Sequence, residues 1–153
     1  MIVEKISPDE VPAASLLIKD VFDEFIAPDY SGEGIVQFNS FIDESTIKKR
    51  LDAGSLILLA KDNDEIVGFF ELREGSHIPL FFVKGEHHGK GIGRRLFRTA
   101  LKINKEACPG AEKITVNSSP RAVNFYKNLG FRQSAVMQIR NGITYYPMQY
   151  SIK

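Results

Sequence analysis

The hydrophobic positions of this chain change period several times, and each change marks an element. Residues 2–6, Ile-Val-Glu-Lys-Ile, alternate as a short strand does. Ser-Pro-Asp-Glu at 7–10 then predicts a helix start, with Ser7 as cap, Pro8 at the first position and Glu10 closing a capping box. Val11, Ala14, Leu17, Ile18, Val21, Phe22 and Phe25 recur at helical spacing and form a buried stripe that should stop near Pro28. Residues 27–38 read as a loop, long enough for a compact domain to imply a role. A second helix is expected from about Phe41 to Leu51, ending before Gly54.

Three strand-like runs follow, at 55–62, 65–74 and 76–85, with hairpin-like breaks between them. A glycine-rich stretch leads into a helix from about Gly91 to Glu106, and 112–119 is the next strand. Residues 119–131 predict a helix capped by Ser119, opened by Pro120 and terminated by Gly130. The rest reads as two strands joined at Asn141-Gly142, a strong hairpin signal. The order β-α-α-β-β-β-α-β-α-β-β predicts an α/β (mixed α+β) chain with one mixed sheet covered by helices.

Composition narrows the function classes. A length of 153 residues, 43% of them hydrophobic, fits a single domain over 1–153 with a sizeable core. No apolar run approaches the roughly 20 residues that span a bilayer. The N-terminus carries acids and a proline where a signal peptide needs a basic start. The lone Cys108 makes no internal disulfide. These features predict a soluble cytoplasmic protein without a membrane partner. Cys108 lies in a turn-like stretch and reads as a loop thiol.

A net charge of +1 gives no global field for nucleic acid. The basic helix after Lys90 is not a nucleic-acid surface either, since Leu96, Phe97, Ala100, Leu101 and Ile103 read as its buried side. Charge is nevertheless uneven. Acids dominate before Lys48, bases between Lys84 and Lys105. Asp29, Tyr30 and Glu33 in the 27–38 stretch are candidates to attract a cationic amine.

The strongest chemical signal is His87-His88-Gly89-Lys90-Gly91-Ile92-Gly93-Arg94, placed between a strand and a helix. A helix N-terminus carries unpaired N–H groups and partial positive charge, and glycine lets an anion approach the backbone. The stretch therefore predicts an anion cradle. The spacing is wrong for a P-loop, and the dinucleotide pattern breaks after the second glycine. His87-His88 is not read as a metal pair, because no carboxylate or cysteine set accompanies it.

The same stretch resembles motif A of the GNAT superfamily of N-acetyltransferases, Gln/Arg-x-x-Gly-x-Gly/Ala. Gly91 and Gly93 fill its small positions, and His88 stands where glutamine or arginine is usual. Residues 116–131 are similar to the family's later strand-helix element, with Ala122, Tyr126, Gly130 and Phe131 in register and Ser119 in place of a common asparagine. The resemblance implies a mostly antiparallel GNAT-type sheet and acetyl-CoA as co-substrate, with no metal. It implies a pyrophosphate site on the amides of His88, Gly89, Lys90, Gly91, Ile92, Gly93 and Arg94. It implies a pantetheine arm beside Phe81, Phe82 and Val83, and further cofactor contacts from Asn117, Ser119, Asn124 and Lys127.

Acetyl transfer to an amine needs a proton taken from the amine, a polarised carbonyl and a protonated leaving thiolate. By the resemblance, Tyr126 is the proton donor. His77 and Glu71 are alternative general bases, with water as a third route. Tyr145 and Tyr146 either line the cleft or fill the sheet face. The implied reaction is acetylation of a primary amine of a small molecule or peptide. The alternative is a CoA-binding sensor of the same fold, and a homodimer is the assembly the resemblance suggests.

Overall fold

The computed structural model describes residues 1–152. Strand β1 (Ile2–Lys5) leads into a short 3₁₀ turn at Pro8–Glu10. Ser7 and Glu10 close the predicted capping box there. Helix α1 (Val11–Val21) buries Val11, Ala14, Leu17, Ile18 and Val21. Its axis continues through a π turn at Phe22–Ile26 and a 3₁₀ turn at Ala27–Asp29. The segment expected to be a loop is instead a helix, α2 (Gly32–Phe41), capped by Ser31, whose Oγ accepts from the Gly34 N–H. The helix expected from Phe41 begins later, as α3 (Glu44–Asp52), with Asp43 as cap.

Strands β2 (Leu56–Asp62), β3 (Glu65–Arg73) and β4 (His77–Val83) form antiparallel hairpins. Helix α4 (Ile92–Ala107), strand β5 (Lys113–Ser118) and helix α5 (Val123–Leu129) follow. The C-terminal part holds three strands where two were expected: β6 (Arg132–Gln133), β7 (Gln138–Arg140) and β8 (Ile143–Ser151). Both short strands pair with β8, and β7 and β8 turn at Asn141-Gly142 as predicted. The sheet order is β1-β2-β3-β4-β5-β8-β6, and β4–β5 is its one parallel pairing among the described residues.

Two apolar clusters cover the two faces. One joins Leu58, Phe70 and Leu72 to Leu96, Phe97 and Ala100 of α4. The other joins Leu59, Phe69 and Leu80 to Leu17, Ile18 and Val21 of α1. Gly68 lets α4 lie close, because a Cβ there would meet Leu96, Ala60 and Ile92 at 2.9–3.3 Å.

The central irregularity is in β4. Its register with β3 slips between Glu71↔Leu80 and Arg73↔His77. Pro79 sits in this bulge, and it has no N–H to give to a ladder. A one-residue slip exchanges the faces of a strand. Accordingly Ile78 joins the α4 cluster while Leu80 and Phe82 join the α1 cluster. Pairing with β5 is confined to His77↔Thr115 and Ile78↔Val116, and the two strands then diverge.

Candidate active site

The divergence of β4 from β5 opens a cleft of about 1150 Å³. Phe81, Phe82 and Val83 line it from β4, and Asn117 and Ser119 from the end of β5 and the turn after it. Among the described residues no strand pairs with β4 on the β5 side beyond Ile78, so this edge is available to an extended ligand.

At one end lies the glycine turn. Gly89 and Gly91 both have positive φ, +77° and +80°, and a Cβ at either would point into open space. Gly91 is the residue preceding α4 and offers no side chain to cap it. The first intrahelical bond runs from the Arg95 N–H to the Gly91 carbonyl. The amides of Ile92, Gly93 and Arg94 therefore point out of a 16-residue helix without a capping side chain. Gly93 is needed for a different reason: a Cβ would strike the Phe125 ring at 2.7 Å. Arg94 donates to the Asn128 carbonyl at 3.0 Å and ties the start of α4 to the end of α5. His88 folds back, its Nε2 2.6 Å from the Val83 carbonyl oxygen, with Phe25 beside its ring.

Tyr126 stands between the rings of Phe81, Phe125 and Phe131, at centroid distances of 6.0, 5.3 and 5.3 Å. It is 5% exposed and lines the cleft. Its hydroxyl makes no hydrogen bond to any described residue. Burial pushes its phenol well above the usual tyrosine range, so it is protonated at neutral pH. The cleft is thus lined by a protonated phenol whose hydroxyl has no partner among the described residues.

A family model of the acetyltransferase (GNAT) domain matches residues 26–152. The chain belongs to the GNAT acetyltransferase family. This acetyltransferase is 30% identical over 105 residues to the peptidyl-lysine N-acetyltransferase YjaB of Salmonella typhimurium, covering 69% of each chain. The Escherichia coli protein of the same name is 27% identical, over 69% of this chain and 68% of its own. Among solved structures, a GCN5-related N-acetyltransferase from Rhodopseudomonas palustris superposes with a TM-score of 0.83 at 24% identity, over 99% of this chain and 95% of that one. The PaiA N-acetyltransferase of Thermoplasma acidophilum, solved with coenzyme A, gives 0.83 at 18% identity over 98% of both chains. The chain is an acyltransferase, and the GNAT fold expected from its motifs is the one it adopts. No helix among its described residues is long and apolar enough to cross a membrane.

The acetyltransferase brings most of its predicted site residues to the cleft, but not all. Phe81, Phe82, Val83, His88, Gly89, Gly91, Ile92, Gly93, Arg94, Asn117, Ser119 and Tyr126 line it. Lys90, Asn124 and Lys127 do not line it, nor do Tyr145 and Tyr146. The Tyr145 hydroxyl is within 2.9 Å of Gln138 Oε1, across the last hairpin. Ser119 precedes the turn at Pro120–Ala122 with extended backbone, but its side chain makes no capping bond.

Neither candidate base lines the cleft. Glu71 is fully buried on the α1 face, where Oε2 accepts from Arg50 Nε at 2.9 Å. Arg50 also donates to the Phe41 carbonyl and lies over the Phe41 ring. The pair holds α3 to the sheet. His77 is the first residue of β4 to pair with β5, one position before the pairing ends at Ile78, its Nδ1 2.7 Å from Thr115 Oγ1. Burial, and secondarily the Arg73 charge, holds its pKa below the ordinary imidazole value. Asp29 is bound to Arg121, Nε to Oδ2 at 2.7 Å, so its charge already has a counter-ion. Arg121, Arg140 and Tyr30 also line the cleft. Tyr30 was visible as a candidate in the sequence; the two arginines carried no motif.

Two predictions follow from these placements. Glu71→Ala leaves Arg50 without its buried partner and should cost about 3 kcal/mol of stability, read as a lower urea midpoint. Unchanged stability with lost turnover would instead make Glu71 part of the chemistry. His77 takes up its proton in the unfolded chain near pH 6.5 and in the folded chain only at lower pH. Below about pH 6.5 the unfolded state thus binds more protons, so stability falls as pH drops and levels off below the folded pKa. In His77→Gln this slope should be shallower; an identical slope would assign it to other groups.

Proposed function

We propose that this protein is an N-acetyltransferase that moves the acetyl group of acetyl-CoA to a primary amine of a small molecule or peptide, by direct attack within the β4–β5 cleft. One observation carries the reading: a single cleft joins an uncapped helix N-terminus, an unpaired strand edge and the unpartnered hydroxyl of Tyr126. The peptidyl-lysine specificity of the YjaB proteins and the coenzyme A bound to PaiA support both halves of it.

The residues fit coenzyme A. Gly89 and Gly91 leave open the space a Cβ would occupy, and the amides of Ile92, Gly93 and Arg94 with the Arg94 charge suit a pyrophosphate. The free edge of β4 suits an amide-bearing arm, with Asn117 on the opposite wall. Bound there, acetyl-CoA supplies an activated acyl group. The chain's own residues orient the amine along the cleft, and Phe81 and Phe125 keep water from Tyr126. Tyr126 gives its proton to the departing sulfur. The positions of His77 and Glu71 outside the cleft support water as the acceptor of the amine's proton.

The test is an acetyl-CoA titration followed by thiol release with a panel of amines. Gly91→Glu places a carboxylate in the cradle at a left-handed position, and should weaken acetyl-CoA binding at least about tenfold while the far-UV circular dichroism stays native. Equal affinity in that variant would remove the cradle from the argument. Tyr126→Phe should lower kcat at least about tenfold with acetyl-CoA affinity little changed. Equal kcat would reduce Tyr126 to a packing residue.

A further inference from the structure

The part of the cleft bounded by α2, α3 and the last hairpin has a chemistry that its sequence did not announce. Phe38, Phe41 and Thr46 line it from α2 and α3, and Arg140 and Ile143 from β7 and β8. The Ser31 N–H, 3.4 Å from the Gly142 carbonyl, holds the start of α2 against the last turn. Gly34 packs there as well: a Cβ on it would lie 2.7 Å from the Gly142 oxygen. These contacts fix the two sides of the mouth to each other.

No carboxylate is among the described residues that line the cleft. Asp29, on the segment where an amine-attracting acid was expected, is held by Arg121. Glu33 does not line the cleft but an adjoining depression on α2, which shares Gln37 and Ser40 with it. The charged side chains in this part of the cleft are Arg121 and Arg140. Arg121 already has its counter-ion. Arg140 is exposed and makes no hydrogen bond or ion pair with any described residue. Its backbone is nonetheless fixed by the hairpin, where it pairs with Ile143.

We propose that the acceptor is an amine that also carries a carboxylate, which Arg140 receives; this rests on the acetyltransferase reading above. A polycation entering here meets like charge and finds no acid to replace its hydration. A carboxylate meets a planar guanidinium that can bind it through two parallel N–H bonds. The aromatic walls, Tyr30, Phe38 and Phe41, take the apolar body of the acceptor. Two sources share this chemistry: a free aromatic α-amino acid, or a lysyl peptide with an acidic neighbour.

The experiment compares kcat/KM within matched pairs, using thiol release from acetyl-CoA. One arm sets phenylalanine and tyrosine against their amides. The other sets short lysyl peptides with a neighbouring glutamate against the same peptides with glutamine. Spermidine and an aminoglycoside complete the panel. The amide's amine is less basic and so more available as free base, which weights the first arm against the proposal. In whichever arm is turned over, the carboxylate member should win by about tenfold or more. Arg140→Gln should bring that ratio close to one, and Arg140→Lys should keep part of it. A wild-type ratio of one or less overturns the inference, as does a ratio unchanged in Arg140→Gln, or turnover of the polycations alone. These results leave the acetyltransferase reading standing. Failure to bind acetyl-CoA, or binding with no release for any amine, overturns that reading and this inference with it.

Discussion

A strand in the middle of a sheet is normally paired along both edges, because an unpaired backbone group buried away from water costs about 1–3 kcal/mol. In this protein β4 is paired along β3 but leaves β5 after Ile78, and the cleft lies in the resulting gap. The gap begins at the bulge at Pro79. The slip there turns Ile78 into the α4 cluster and Leu80 and Phe82 into the α1 cluster, so β4 is gripped from both faces while one edge is free. Without that two-sided grip the edge would collapse onto β5 or fray. Ile78 and Val116 close the narrow end of the gap, and the half-buried His77, fixed to Thr115, sits one position behind that apex.

The wide end is held by aromatic packing and by glycine. Phe81, Phe125 and Tyr126 pack edge to face from β4 and α5, and Gly93 admits the Phe125 ring where any side chain would exclude it. The three alternate glycines of the turn therefore do separate jobs. Gly89 and Gly91 take left-handed backbone and leave open space at the turn, whereas Gly93 is a packing glycine at the second residue of α4. The basic helix that follows buries Leu96, Phe97 and Ala100 against the sheet.

Much of this was legible in the sequence because it depends on local rules. The capping box at Ser7 and Glu10, the terminator at Gly130, the Asn141-Gly142 turn and the glycine run are fixed by backbone chemistry within a few residues. Helix α2 was not legible, since Gly32 and Gly34 lower its propensity and Gly34 is there for contact with Gly142, 108 residues away. Its signal was Ser31 followed by Glu33, a cap and a first-turn acid. The three-strand ending was hidden because β6 and β7 are too short to show a period and exist only as partners of β8. His77 was drawn into the chemistry because it opens the strand before the glycine motif, and Glu71 because it lies on the neighbouring strand across the 74–76 break. Which face a side chain takes, and whether an arginine from α3 reaches it, is decided by tertiary packing.

The charge asymmetry of the sequence has a different meaning once the chain is folded. The acids of the first half read as a field for cations, yet several are neutralised by bases brought from other elements. Glu4 and Glu10 both meet Lys61, and Asp29 meets Arg121. The Asp29–Arg121 pair is exposed enough for water and salt to screen it, so it contributes little to stability. The consequence of these pairs is for the cleft, whose described lining keeps basic side chains and no acids. An acidic stretch in a sequence predicts an acidic site only if no base from elsewhere reaches it. Here the strap that carries Asp29 is pinned by Arg121 at one point and by Gly142 at another, and its acid is consumed in the pinning.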